Sequence, residues 1–129
     1  MDREIELTLG KAVLKGKILD TRLGSKICDA MPLKARVNTW GMEIYFEIPV
    51  KSDIERPVGI VEKGDIAYWP QGRCLCLFFG PTPMSAGEKP VPASDVEVVG
   101  RMLSDYSALE KVKPGEEISI ELARATPHK

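Results

Sequence analysis

Two cysteines in this sequence are spaced as metal ligands could be. Cys74 and Cys76 lie two residues apart, so on a strand both thiols would point to one face, about 6.6 Å apart. The pair could form half of a zinc site, but zinc requires four ligands, and only Cys28 and His128 remain to complete one. Buried cysteines more often serve as small hydrophobic side chains. We therefore predict no metal site and no cofactor.

A single histidine is the second candidate for chemistry. His128 is next to last in residues 124–129, which we expect to be a flexible tail. Ser-His-Asp and Cys-His mechanisms both require a histidine held beside the nucleophile. Histidine-dependent catalysis is therefore not predicted, and the sequence contains no glycine-rich phosphate loop.

A pair of carboxylates is the third candidate. Glu43, Tyr45 and Glu47 alternate with apolar residues and so share one face of a predicted strand. The two carboxylates would lie about 13 Å apart with a phenol between them. This distance exceeds the roughly 5–9.5 Å between the paired carboxylates of glycosidases. Acid–base catalysis is one interpretation, but the spacing favours a solvated outer face of a sheet.

The elements that would position these side chains are mostly strands, because apolar and polar residues alternate with a period of two. We predict strands near residues 5–9, 12–19, 35–39, 42–48, 66–69, 74–79, 96–102 and 118–122. Hairpin turns are expected at residues 38–41 and 70–73. Two short helices should interrupt the strands, one capped by Ser25 and stopped at Pro32, the other capped by Ser104 and stopped at Pro114.

This pattern predicts an all-β fold, a closed antiparallel barrel of about eight strands with two short helices. A closed barrel leaves no exposed strand edges, which suits many short strands with little helix. The chain of 129 residues is long enough for one domain with its own core, and we assign residues 1–129 to a single domain.

The composition argues against nucleic acids and membranes as partners. The 18 basic and 19 acidic residues nearly cancel, and neither sign forms a block, so nucleic-acid binding is not predicted. The longest wholly apolar run, Cys74–Phe79, is far shorter than the roughly 20 residues that span a bilayer, so no membrane partner is predicted. No hydrophobic targeting segment follows Met1, and we expect a cytoplasmic location. The oligomeric state is left open.

Residues 64–84 are the most informative stretch. They contain four of the eight aromatic residues, arranged as two strand-like runs around a turn. Cys74–Phe79 is apolar at every position, so its strand should face a core on one side and a covering segment on the other. Four prolines in Pro81–Ser94 then make a stiff loop, too long for a hairpin turn. A buried aromatic strand beside such a rim could form a ligand pocket, or it could simply be the end of a barrel strand.

Four blocks of this sequence are familiar in combination: Trp40–Phe46, Gly64–Pro70, Phe78–Pro83 and Val99–Arg101. Together they resemble a small prokaryotic family described as cyclophilin-like, over nearly the whole chain. That family has the cyclophilin barrel and no settled function as a group. The resemblance implies the same barrel here.

The order of elements also resembles true cyclophilins, which are peptidyl-prolyl isomerases. In that comparison Phe78-Phe79 match a Phe-Phe pair that places one ring in the core and one in the proline pocket. The strand that carries the isomerase arginine matches Ile44–Glu47, which has no arginine, and no Gln-Gly-Gly turn follows in Pro49–Asp53. A donor aimed at the proline nitrogen weakens amide resonance, which sets a barrier of about 18–20 kcal/mol. Without that donor, a shared fold does not imply the activity.

We therefore expect a non-catalytic barrel that binds a peptide or a small molecule in an aromatic groove outside the barrel. The alternative is an enzyme, either a weak or atypical prolyl isomerase or a hydrolase-like protein. The resemblance places the groove on the outer face of the strand at residues 42–48, with the second Phe of the pair as its floor. The predicted ligand-binding residues are Tyr45, Glu47, Trp69, Arg73, Phe79 and Met84.

Overall fold

The computed structural model describes residues 1–123, and these form one antiparallel sheet with two short helical segments. The predicted tail at 124–129, including His128, lies outside the described residues. The strands are β1 (Arg3–Leu9), β2 (Ala12–Ile18), β3 (Leu33–Arg36), β4 (Asn38–Thr39), β5 (Glu43–Glu47), β6 (Asp65–Trp69), β7 (Cys74–Phe78), β8 (Glu97–Met102) and β9 (Glu117–Leu122).

The strands are arranged in the order β3-β9-β1-β2-β8-β6-β7-β5-β4, and every neighbouring pair is antiparallel. The sheet curls into a nearly closed barrel. The all-β cyclophilin-like fold predicted from the sequence is confirmed, with nine strands in the described residues rather than about eight. The ninth arises because the predicted strand at 35–39 divides: β3 pairs with β9, whereas β4 pairs with β5.

The helical predictions require two corrections. Helix α1 (Arg22–Asp29) is capped by Thr21, whose hydroxyl accepts a hydrogen bond from the Gly24 N–H at 3.0 Å, and not by Ser25, which lies exposed within the helix. The second segment is a 3-10 helix, Ser107–Lys111, rather than an α-helix that begins at Ser104. The Ser104 hydroxyl instead accepts from the Lys15 N–H at 2.9 Å, which ties this connection to β2.

Two apolar cores lie on opposite faces of the sheet. The larger fills the barrel and receives side chains from all of the long strands and from α1, with Phe46 and Tyr68 among its largest members. The smaller lies outside the barrel, over the sheet at β6–β7, and consists of Val61, Ala67, Cys74, Cys76, Phe78 and Val96. Strand β7 is therefore buried on both faces, as its uninterrupted apolar sequence predicts.

No helix within residues 1–123 is long and apolar enough to cross a membrane.

Candidate functional site

A pocket of about 250 Å³ opens over the outer face of β5, β6 and β7, beside the smaller core. Its walls combine three aromatic rings, one carboxyl, one thiol and the loop that precedes β8. The lining residues are Trp40, Glu43, Tyr45, Trp69, Cys76, Pro92, Ala93 and Val96.

Strand register explains why these side chains meet. Tyr45 on β5 lies opposite Cys76 on β7, which in turn lies opposite Ala67 on β6. Residues in such a row share one face of a sheet, so Tyr45 and Cys76 point outward together. Trp69 follows two positions after Ala67 on the same face, and Glu43 precedes Tyr45 by two. Alternation along three neighbouring strands therefore builds the floor and one wall.

The loop at residues 81–95, here called the covering loop, reaches the pocket through Pro92 and Ala93 and is fixed by hydrogen bonds. The Ser85 hydroxyl accepts from the backbone N–H groups of Thr82 at 2.9 Å and Val91 at 3.1 Å, and donates to the Lys89 carbonyl at 2.9 Å. At the far end of the loop, the Trp69 indole N–H donates to the Ser94 hydroxyl at 2.6 Å. Trp69 thus serves as pocket wall and as anchor of the cover.

The turn between β4 and β5 brings Trp40 to the rim. Backbone hydrogen bonds join Trp40 and Glu43 in both directions, at 2.9 and 3.2 Å. Gly41 has a φ of +60° and approaches the covering loop so closely that a Cβ there would lie 2.8 Å from Pro83 Cδ. Glycine is required at this position on both grounds, and it lets the turn dock against the loop.

Glu43 is the main electrostatic feature of the pocket. It is only 6% exposed, and its Oε1 is buried and has no hydrogen-bond partner among the described residues. Burial raises the pKa of Glu43 from its ordinary 4.5 to about 7, and the neighbouring thiol of Cys76 opposes this rise only in part. Near neutral pH the carboxyl therefore exchanges between its acid and ionised forms.

The two outward thiols are not activated. Burial raises the pKa of Cys76 well above its ordinary value, and the Glu43 carboxyl raises it further. Burial also raises the pKa of Cys74, to about 11. Nucleophilic and metal-binding cysteines react as thiolates, so both side chains remain protonated, Cys76 in the pocket wall and Cys74 in the outer core. In the described part of the chain, no three His, Cys, Asp or Glu residues are grouped so that they could hold a metal ion.

The structure brings two of the six predicted ligand-binding residues, Tyr45 and Trp69, into this pocket. The other four lie elsewhere. Glu47 is exposed at the end of β5, Arg73 is exposed in the β6–β7 turn with a φ of +51°, and Met84 is 57% exposed in the covering loop.

The Phe pair does separate between the two faces, but Phe78 rather than Phe79 lies on the pocket side. Phe78 follows Cys76 by two positions and belongs to the outer core. Phe79 packs with the barrel core. One position of offset reverses the face of every side chain on a strand, which explains the difference.

Glu43 and Trp40 line the pocket but were not among the predicted site residues. The alternation at 42–48 correctly places Glu43 on the outer face, but the expectation of a solvated face is wrong for this residue, since the covering loop and the Trp40 turn enclose it. The available signals were the wholly apolar run Cys74–Phe79, which requires a cover on its second face, and the long, stiff segment Pro81–Ser94 that could supply one.

A family model described as cyclophilin-like matches residues 3–121. The chain belongs to the cyclophilin-like family. Among solved structures, this cyclophilin-like chain is similar to the hypothetical protein AF2241 from Archaeoglobus fulgidus, solved in solution. The two share 36% identity over 95% of each chain, with a TM-score of 0.81.

A second solved structure, McbB in complex with tryptophan, has a TM-score of 0.70 at 11% identity. The match covers 97% of this chain and 46% of McbB, so the similarity is one of fold with part of a larger protein. No curated protein matches the chain significantly.

Proposed function

We propose that this chain is a binding protein for a small, largely apolar ligand, held in the pocket between Trp40, Tyr45 and Trp69. The observation that carries the proposal is the pocket itself, in which three aromatic rings line one recess on a rigid sheet. Ligand sites are typically concave and apolar with a few polar groups, and volumes of roughly 300–1,000 Å³ are common. At about 250 Å³ the pocket suits a single substituted ring better than an extended peptide.

The aromatic walls contribute a specific kind of affinity. Offset or edge-to-face ring contacts are worth about 0.5–1.5 kcal/mol each beyond the area they bury. Trp69 is held by its hydrogen bond to Ser94, so little side-chain freedom is lost when a ligand binds against it. McbB, which shares the fold, is described in complex with tryptophan, and tryptophan is therefore a reasonable member of a first ligand screen.

Intrinsic fluorescence provides a direct test, because both tryptophans of the chain line the pocket. We expect 2-phenylethanol to change the tryptophan emission saturably, and each of the variants Trp40→Phe and Trp69→Phe to retain a response from the remaining indole. At 100 times its dissociation constant the probe should also stabilise the fold by about 2.7 kcal/mol. Stabilisation without any change in emission would place binding elsewhere and contradict the proposal.

We further propose that binding is not accompanied by prolyl isomerisation. The outer face of β5 presents Glu43, Tyr45 and Glu47, and none of these is a guanidinium that could donate to a proline nitrogen. Loss of one such transition-state donor costs about 10²–10³ in rate. In a prolyl cis–trans assay we expect turnover at least about a hundredfold below that of a cyclophilin. Turnover closer to that of a cyclophilin would favour the alternative function, an atypical isomerase.

A further inference from the structure

Three carboxyl groups are buried in the described residues, and they differ in the hydrogen-bond donors around them. Asp65 accepts from Arg101 Nη1 at 2.7 Å and from the Glu62 N–H at 2.8 Å. Glu97 accepts from the backbone N–H groups of Glu55 at 2.6 Å and Arg56 at 3.3 Å. Glu43 has neither kind of support: its Oε1 has no partner, the Cys76 thiol beside the carboxyl is only a weak donor, and Glu43 forms no ion pair within residues 1–123.

A buried carboxylate without a strong donor or a counter-charge is costly to ionise. The fold could have avoided this cost with an apolar residue at position 43, which lies opposite Phe78 beside the outer core. The unsatisfied group lines a pocket that a small molecule can enter. A donor or positive charge supplied by a ligand would complete the interactions that the chain itself leaves open.

The remaining walls also favour positive charge. Aromatic rings attract a cation placed over their faces, Trp most strongly, and Trp40, Tyr45 and Trp69 all line the pocket. Among the described residues that line the pocket there is no Lys, Arg or His to repel a cation or to neutralise Glu43. Carboxyl and aromatic rings together resemble the surroundings that proteins provide for ammonium groups.

We propose that the ligand of this pocket is a small organic cation that carries an N–H donor, such as a primary aryl-alkylamine. Its nitrogen binds the Glu43 carboxylate, and its apolar body lies against the aromatic walls. This inference rests on the proposed binding function and specifies the chemistry of its ligand.

The pH dependence follows from the groups that face Glu43. Besides Glu43 itself, the nearby titratable groups are Cys76 and Cys74 on β7 and Tyr45 on β5. Both thiols have a raised pKa and stay protonated near neutrality. A primary amine keeps its charge to about pH 10. Affinity for the amine should therefore rise as Glu43 ionises, between about pH 6 and 8, and become constant above that window.

Three probes of matched shape test the inference: 2-phenylethylamine, neutral 2-phenylethanol, and trimethyl(2-phenylethyl)ammonium, which is charged but has no N–H. Dissociation constants would be measured by tryptophan emission at pH 8 for the unmodified protein, Glu43→Gln and the control Glu121→Gln, whose side chain is exposed on β9. We expect the amine to bind the unmodified protein and the control about 10–100 times more tightly than the alcohol. In Glu43→Gln this advantage should disappear.

The outcomes separate this inference from the binding function. Equal affinity for amine and alcohol at pH 8, or an amine affinity that does not rise between pH 6 and 8, would overturn the inference and leave the binding function standing. The trimethyl probe binding as tightly as the amine would overturn the requirement for an N–H donor. Binding by none of the three would contradict the proposed function and the inference together. If Glu43→Gln fails to fold, the pH dependence of amine affinity in the unmodified protein tests the role of Glu43 instead.

Discussion

Glu43 shows how much one residue's chemistry depends on what covers it. Glu47, four residues further along the same strand face, is exposed, whereas Glu43 is enclosed by the Trp40 turn and by Pro92 and Ala93 of the covering loop. Both are glutamates on one short strand. The difference in environment, and not in residue type, makes one of them a candidate for function.

Burial of Glu43 has a consequence for stability. Its pKa in the folded protein is raised to about 7 from 4.5, so the folded state retains a proton that the unfolded chain loses between these values. The contribution of protonated Glu43 to the free energy of unfolding is therefore complete below about pH 4.5 and is lost as the pH rises to about 7. Above that pH, Glu43 causes no further change in stability. We expect a total loss on the order of 3 kcal/mol.

Chemical denaturation at pH 5 and pH 8 would measure this change. Glu43→Gln should remove most of it, so the variant should lose less stability between the two pH values than the unmodified protein. Glu47→Gln, on the same strand face, is the matched control and should keep the full pH dependence. Asp65 also has a raised pKa, but it is present in all three proteins and cancels in the comparison. An unchanged pH dependence in Glu43→Gln would contradict the assignment.

At the scale of elements, the site depends on a strand that is covered on both faces. Leu75 and Leu77 of β7 enter the barrel core, while Cys74, Cys76 and Phe78 enter the outer core. Ordinary barrel strands leave their outer face in water. Here that face has its own packing, which holds the pocket floor rigid while the loop supplies the lip.

Helix α1 offers a test of how the chain selects a helix start. The Thr21 hydroxyl accepts from the Gly24 N–H, so Thr21→Ala should destabilise the protein by about 0.5–2 kcal/mol. Ser25 lies exposed one turn later, and Ser25→Ala should change stability little or increase it slightly, because alanine favours helix. Midpoints of denaturant unfolding compare the two variants directly. A larger loss in Ser25→Ala would mean that the cap is assigned to the wrong residue.

The whole molecule could be anticipated from sequence only in part. Alternation revealed the strands, and the resemblance of four blocks indicated the barrel, because strand patterning is local and each block is recognisable. The split of residues 33–39 into β3 and β4 was not visible, since Val37 is buried between two strands that pair with different partners. The start of α1 was missed because Thr21 and Ser25 are both acceptable caps, and only the fold selects between them.

The residues of the pocket could also be predicted only in part. Tyr45 and Trp69 were expected at the site, and the structure brings them together because β5 and β6 flank β7 and alternation places both side chains on one face. The enclosure of Glu43 depends on where residues 81–95 fold back, and a loop's path has no periodic signal in sequence. Contacts with a loop distant in sequence, rather than local propensity, therefore determined that Glu43 is the polar residue buried in the pocket.

The position of β9 bears on how the chain can be synthesised. β9 lies between β3 and β1, pairing Ile120 with Leu33 on one side and with Leu7 on the other. Translation delivers β1 and β3 to the ribosomal exit long before β9, so each emerges with an edge that has no pairing partner. Unpaired edges of this kind recruit other chains. During synthesis these edges of β1 and β3 therefore stay open to pairing with other chains until β9 has been released and inserted.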